Sequence, residues 1–106
     1  MKEFEKMRHE EFYDFLDAEC LASYNRAKHL CARLQTMTID DPEYREVIEA
    51  LIPGLPESST VAPPFMCDHG HGIHLGENVF INYNGTMIDG GMITIGDNTQ
   101  IGPNCQ

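Results

Sequence analysis

A chain of 106 residues is one ordinary domain at most, and its 42% apolar content includes no run of the roughly 20 apolar residues that a membrane span needs. The formal net charge is −10 and all seven Lys and Arg residues lie at or before Arg45, which leaves no basic stripe for nucleic-acid phosphates. The charged N-terminus, Met-Lys-Glu-Phe-Glu-Lys-Met-Arg, lacks the apolar core of a secretory signal and points to a cytoplasmic protein. In that compartment the four cysteines, at positions 20, 31, 67 and 105 with no Cys-x-x-Cys pair, read as buried thiols rather than bridges.

Residues 1–55 read as a helical segment. From residue 2 to about 36 the apolar positions Phe12, Leu16, Leu21, Tyr24, Ala27, Leu30, Cys31 and Leu34 mostly step by threes and fours. The longer step from Leu16 to Leu21 marks a break near Asp17, which suits the N-cap of a second helix opening at Ala18-Glu19. A further helix is expected from Asp40-Asp41-Pro42, where an acidic cap and a proline in the first turn satisfy free N–H groups and pre-set the backbone. Its apolar side would be Tyr44, Val47, Ile48 and Leu51, and it should end before Pro53-Gly54. Residues 56–66, rich in Pro and Ser, read as an extended connector.

From residue 67 to 106 the chain counts in sixes. Leu75, Ile81, Met87 and Ile93 are six apart, and Ile95 and Ile101 resume the count after a two-residue slip at Asp89-Gly90-Gly91. Gly76, Gly96 and Gly102 directly follow Leu75, Ile95 and Ile101. A period of six fits neither an amphipathic helix nor a two-sided strand. It fits a left-handed parallel β-helix, in which each hexapeptide forms one flat face of a triangular coil and the aliphatic points inward. The expected fold class is therefore mixed α and β, a helical segment followed by such a β-helix. About two coils are supplied, a stack of roughly 10 Å at the usual strand spacing. The pattern stops in mid-count at Ile-Gly-Pro-Asn-Cys-Gln, so the expectation is a truncated β-helix with an open sheet edge.

The order of motifs carries a resemblance. Pro-Pro-Phe-Met-Cys-Asp-His-Gly, then Asn-Val-Phe-Ile-Asn-Tyr-Asn, then Ile-Gly-Asp-Asn and Ile-Gly-Pro-Asn, behind a short helical segment, resemble the maltose and galactoside O-acetyltransferases. These are hexapeptide-repeat acyltransferases, and the resemblance covers essentially the whole chain. It implies a homotrimer with active sites between neighbouring prisms, acetyl-CoA as cosubstrate and a sugar hydroxyl as acceptor. Asn82 stands where the family has its transition-state-stabilising asparagine. Asp89 matches an aspartate near the sugar, Asp68 a position close to the acceptor pocket, and Asp17 the end of a helical piece that approaches the sugar. The family's general base, a histidine just beyond the Gly-Pro-Asn repeat, has no match here. Neither has its cofactor groove, so the 106 residues alone are expected to be inactive. Each assignment has a plainer rival: an amide ladder of Asn82 and Asn84, a turn-initiating Asp89, a solvated Asp68 and a helix-capping Asp17.

Cys67, His69, His71 and His74 fall within eight residues, and in an extended strand the first three would share a face. The spacing matches no standard zinc pattern, so no metal site is assigned. Two other functions compete with the acetyltransferase. One is a non-enzymatic oligomerisation or interaction fragment, and the other is a metal hydratase of the γ-carbonic anhydrase kind on the same prism.

Overall fold

A computed structural model describes residues 2–106. Three helices come first: α1 (Glu3–Arg8), α2 (Ala18–Leu34) and α3 (Tyr44–Leu51). Among the described residues no helix is long and apolar enough to cross a membrane. α2 opens where its cap predicts. The Asp17 carboxylate accepts from the backbone N–H groups of Glu19 (3.1 Å) and Cys20 (3.3 Å), donors that a first turn leaves free. Phe12 and Leu16, counted above into the helical stripe, lie outside any helix and are exposed. Helical spacing that buries nothing does not hold a short helix together. α3 starts at Tyr44 instead of Asp40–Pro42; the Asp41 carboxylate accepts from Glu43 N (3.0 Å) and turns the chain into it. Its expected face of Tyr44, Val47, Ile48 and Leu51 is buried throughout.

Seven short strands follow: β1 (Thr60–Val61), β2 (Phe65–Cys67), β3 (Ile73–Leu75), β4 (Phe80–Ile81), β5 (Gly85–Met87), β6 (Ile93–Ile95) and β7 (Gln100–Ile101). All pairings are parallel, in three sheets ordered β1-β4-β7, β2-β5 and β3-β6. Three faces each stacked on the next turn of the same chain make a coil, as the period of six requires. The turn is longer than expected, however. Thr60 pairs with Phe80 and Phe80 with Gln100, so one coil takes twenty residues rather than three hexapeptides. The two extra residues fall at the same corner of each coil, in loops 68–72 and 88–92. The inward residues Cys67, Leu75 and Ile81 step by eight and six, and Met87, Ile95 and Ile101 repeat those steps. Sequence spacing revealed only the second slip, because the first lies between Cys67 and Leu75, ahead of the first aliphatic in the count of sixes.

The coil also begins earlier than expected. β1 lies inside the stretch read as a connector, with Thr60 N donating to Val79 O (2.9 Å) and Ala62 N to Ile81 O (2.8 Å). Pro63 and Pro64 follow β1 at a corner, where no ladder N–H is required, so they do not exclude a strand. Other corners are turned by asparagine. Asn78, Asn84, Asn98 and Asn104 have φ of 57°, 61°, 61° and 60°, a left-handed conformation that Asn tolerates better than most residues. The amide ladder does form, but between Asn78 Nδ2 and Asn98 Oδ1 (3.3 Å) and not at Asn82 and Asn84.

One core joins helices and coil. Ala27, Cys31 and Leu34 of α2 and the buried face of α3 share a cluster with Val61, Phe65, Cys67, Ile73, Leu75 and Ile81. Tyr44 clamps the two parts: its hydroxyl donates to Val61 O (2.5 Å) and accepts from Val61 N (3.0 Å). Burial weakens along the stack, from fully buried Val61 and Ile81 to half-buried Ile101, and a cavity of about 440 Å³ opens among Ile81, Met87, Ile93 and Ile101. Cys20, Cys31 and Cys67 are buried and unbridged, while Cys105 is exposed. A thiol reagent at neutral pH should therefore titrate one thiol quickly in the native chain and all four after unfolding. Two or more fast thiols would contradict this packing.

Candidate functional site

The corner where each coil carries two extra residues gathers three of the polar side chains singled out from the sequence, Asp89, His69 and His71. Asp89, in the second-coil loop, is fully buried, and both its oxygens are used. Oδ1 accepts from His69 N (2.7 Å) and Oδ2 from Gly72 N (3.0 Å), so the second loop holds the first in shape. α1 closes over both. Arg8 Nη1 donates to the carbonyls of Asp89 and, at 3.2 Å, Gly90, which brings positive charge beside the buried carboxylate. Burial pushes the Arg8 guanidinium below its ordinary pKa, with Asp89 opposing.

His69 and His71 belong to the same corner. Ser23 of α2 lies between them, its Oγ 2.6 Å from His69 Nδ1 and 2.9 Å from His71 Nε2. Burial is the main cause lowering both imidazole pKa values. Cys67 turns the other way, its sulfur 4.0 Å from that of Cys31 in the core, and His74 is exposed on β3. The four residues of the sequence cluster thus part into three environments. Among the described residues no group of three or more His, Cys, Asp or Glu is placed to hold a metal ion.

The remaining expected site residues lie apart. Half-buried Asn82 follows β4; its Oδ1 accepts from Tyr83 N (2.8 Å) and its main-chain N donates to Ile101 O (2.9 Å). That leaves the side-chain NH₂ as a donor with no partner among the described residues. Asp68 pairs with Lys28 Nζ (3.0 Å), which also donates to Cys67 O (2.8 Å) and lies 4.6 Å from the Tyr24 ring centre. Burial opposes the Lys28 charge, but the hydrogen bond and charge of Asp68 outweigh it and raise the pKa. Asp17 caps α2, eleven residues before Lys28, or roughly 16 Å along the axis at 1.5 Å per residue. The 520 Å³ depression beside Asp17, Lys2 and Glu19 includes none of the other three. The structure therefore joins Asp89 to the loop that follows Asp68 and brings neither Asp17 nor Asn82 to them within one chain. Arg8, Ser23 and Lys28 were missed from sequence, since their partners lie 81, 46 and 40 positions away and no local motif marks them.

No known family profile matches the chain. Individual proteins do. Nodulation protein L of Rhizobium meliloti is 34% identical over 107 residues, covering 96% of this chain and 56% of that protein. Among solved structures, a hexapeptide-repeat-containing acetyltransferase of Vibrio cholerae complexed with acetyl coenzyme A superposes with a TM-score of 0.87 at 38% identity. A maltose O-acetyltransferase of Clostridium difficile gives 0.89 at 32% identity. Each alignment covers 98% of this chain and 56% of the other. On these likenesses the chain resembles the first half of the hexapeptide-repeat acetyltransferases, and its parallel coil has their left-handed β-helix fold. The chain spans about half the length of the curated relatives it matches. Acetyl-CoA is the molecule bound in the Vibrio neighbour. The coil residues here do not suit its phosphates, because no Lys or Arg occurs after Arg45.

Proposed function

We propose that these residues form the acceptor side of a sugar O-acetyltransferase, in which an acetyl group passes from acetyl-CoA to a sugar hydroxyl. The observation that carries this is Asn82: a half-buried corner amide with a free NH₂, on a chain that superposes over 98% of its length on a maltose O-acetyltransferase. As the hydroxyl oxygen attacks the thioester carbonyl, negative charge grows on the carbonyl oxygen, and the Asn82 NH₂ donates to it. Asp68, held by Lys28, and Asp17 accept from sugar hydroxyls, and Asp89 acts by shaping the 68–72 loop. Sites of this kind lie between subunits of a homotrimer, and exposed Tyr83, Ile88 and Met92 supply apolar surface for such packing. The working compartment is the cytoplasm. The functional division is a helical segment at 1–55 and a repeat at 67–106, with 56–66 lending β1 to the coil.

The general base is not among these residues. His69 and His71 are committed to Ser23, and His74 stands on the outer face of β3. The 106-residue chain with acetyl-CoA and maltose should therefore release no thiol above background. Joined to the later coils of the Clostridium enzyme, it should acetylate maltose, and Asn82→Ala in that chimera should lower kcat about 10²–10³-fold, the range for an oxyanion donor. Full kcat in Asn82→Ala, with intact trimers, would remove the reading.

A further inference from the structure

α1 has six residues, too few to be stable as a free helix in water, so its order depends on what it docks against. Its seat is floored by glycines of the two corner loops. A Cβ on Gly72 would come within 2.1 Å of Arg8 Nη1, one on Gly90 within 3.4 Å of Met7 Cγ, and one on Gly91 within 3.0 Å of Glu10 Oε1. Met7 is only 2% exposed there. Phe4 stacks on the His71 ring with centroids 5.5 Å apart and meets His69 edge-on at 6.0 Å. The seat is specific: Arg8 Nη1 bonds to the loop carbonyls, and Arg8 Nη2, His71, Ser23 and His69 form a line of polar contacts beside them.

Arg8 fixes which nitrogen of His71 carries the proton. A guanidinium donates and never accepts, so His71 Nδ1, 2.9 Å from Arg8 Nη2, must carry a lone pair. The proton of neutral His71 is then on Nε2, which donates to Ser23 Oγ, and the Ser23 hydroxyl is free to donate onward to His69 Nδ1. The contact between Arg8 and His71 pairs a donor with an acceptor only while His71 is neutral. Protonating His71 places an N–H on Nδ1 against the Arg8 guanidinium, donor to donor and cation to cation.

We propose that α1 is an acid-released latch on the corner loops, with the Arg8–His71 contact as its catch. The groups facing His71 act in both directions. Arg8 from α1, Arg26 from α2 and neighbouring His69 disfavour its protonation, whereas the Asp89 carboxylate favours it. Around His69, Asp68 and Asp89 favour protonation and Arg8 and Lys28 oppose it. Glu10, just after α1, adds negative charge over Gly91. The net effect is a docked His71 with its pKa lowered, chiefly by burial. A histidine whose folded pKa is depressed gives stability that is complete above its unfolded value of about 6.5 and lost as pH falls below it. The latch is therefore closed at neutral pH and opens in mild acid, while the core cluster, which contains no histidine, stays folded.

The test is hydrogen exchange on the whole chain, corrected for intrinsic rates, together with the His71 ring shift followed by NMR through the same pH range. The amides of Lys6 to His9 should lose protection below about pH 6.5, by up to about tenfold per pH unit for one proton, with a midpoint matching the His71 titration. Amides of α3 and β4 should hold. In His71→Asn, whose side-chain oxygen can still accept from Arg8 without titrating, α1 should stay protected at both pH 7.5 and 5.5. Constant protection of α1 in the wild type would overturn the proposal, as would a midpoint that does not follow His71. If His71→Asn does not fold, the agreement of midpoints in the wild type still decides.

Discussion

Replacing Asp89 with alanine should lower the unfolding free energy by about 2–6 kcal/mol, because roughly 1–3 kcal/mol is lost for each of two buried N–H groups left without an acceptor. The two groups concerned are His69 N and Gly72 N, both bound to the fully buried carboxylate. Asp89→Asn should cost less, since one oxygen still accepts while the amide NH₂ opposes the other donor. Equilibrium denaturation of the three proteins measures the order directly. A role limited to binding sugar predicts something different: unchanged midpoints for both variants, with the loss confined to acceptor KM in an active chimera. The burial of Asp89 makes the first outcome the expected one, with the residue acting by shaping the 68–72 loop.

Phe65→Ala should be comparably damaging, at about 3–5 kcal/mol, the usual range for a buried aromatic truncated in a packed core. Phe65 is 1% exposed and pairs in register with Gly85, whose missing side chain leaves room for the ring. A Cβ on Gly85 would lie 3.4 Å from Phe65 Cδ1 and 3.2 Å from Ile81 Cγ2, so the ring is closely packed against the next coil. Thermal or denaturant unfolding would show it, and a change below about 1 kcal/mol would mean that the first coil is far looser than this packing. The same packing explains why α2 and α3 cannot be treated as a separate unit. Their buried faces and the coil interior form one cluster, and Tyr44 ties α3 to β1 at both polar atoms of Val61.

The coil was legible because its physics is local. An inward aliphatic at each face and a small or left-handed residue at each corner repeat along the sequence itself, and Asn78, Asn98 and Asn104 stand at positive φ where the Asn of Glu-Asn, Asp-Asn and Pro-Asn marks a corner. The cap at Asp17 and the buried face of α3 were readable for the same reason: each depends on neighbours three or four residues away. The corner network was not readable. Nothing near Arg8 in the sequence points to carbonyls 81 and 82 positions on, and nothing near Ser23 points to two imidazoles. Those pairings exist only because a coil of twenty residues stacks loop 88–92 over loop 68–72 and the helices fold back onto them. The chain's own spacing determined that there would be a coil, its approximate start and its inward residues. Three-dimensional packing decided the true length of each turn, the burial of Asp89 and the seat of α1, since these rest on contacts between segments that sequence order keeps far apart.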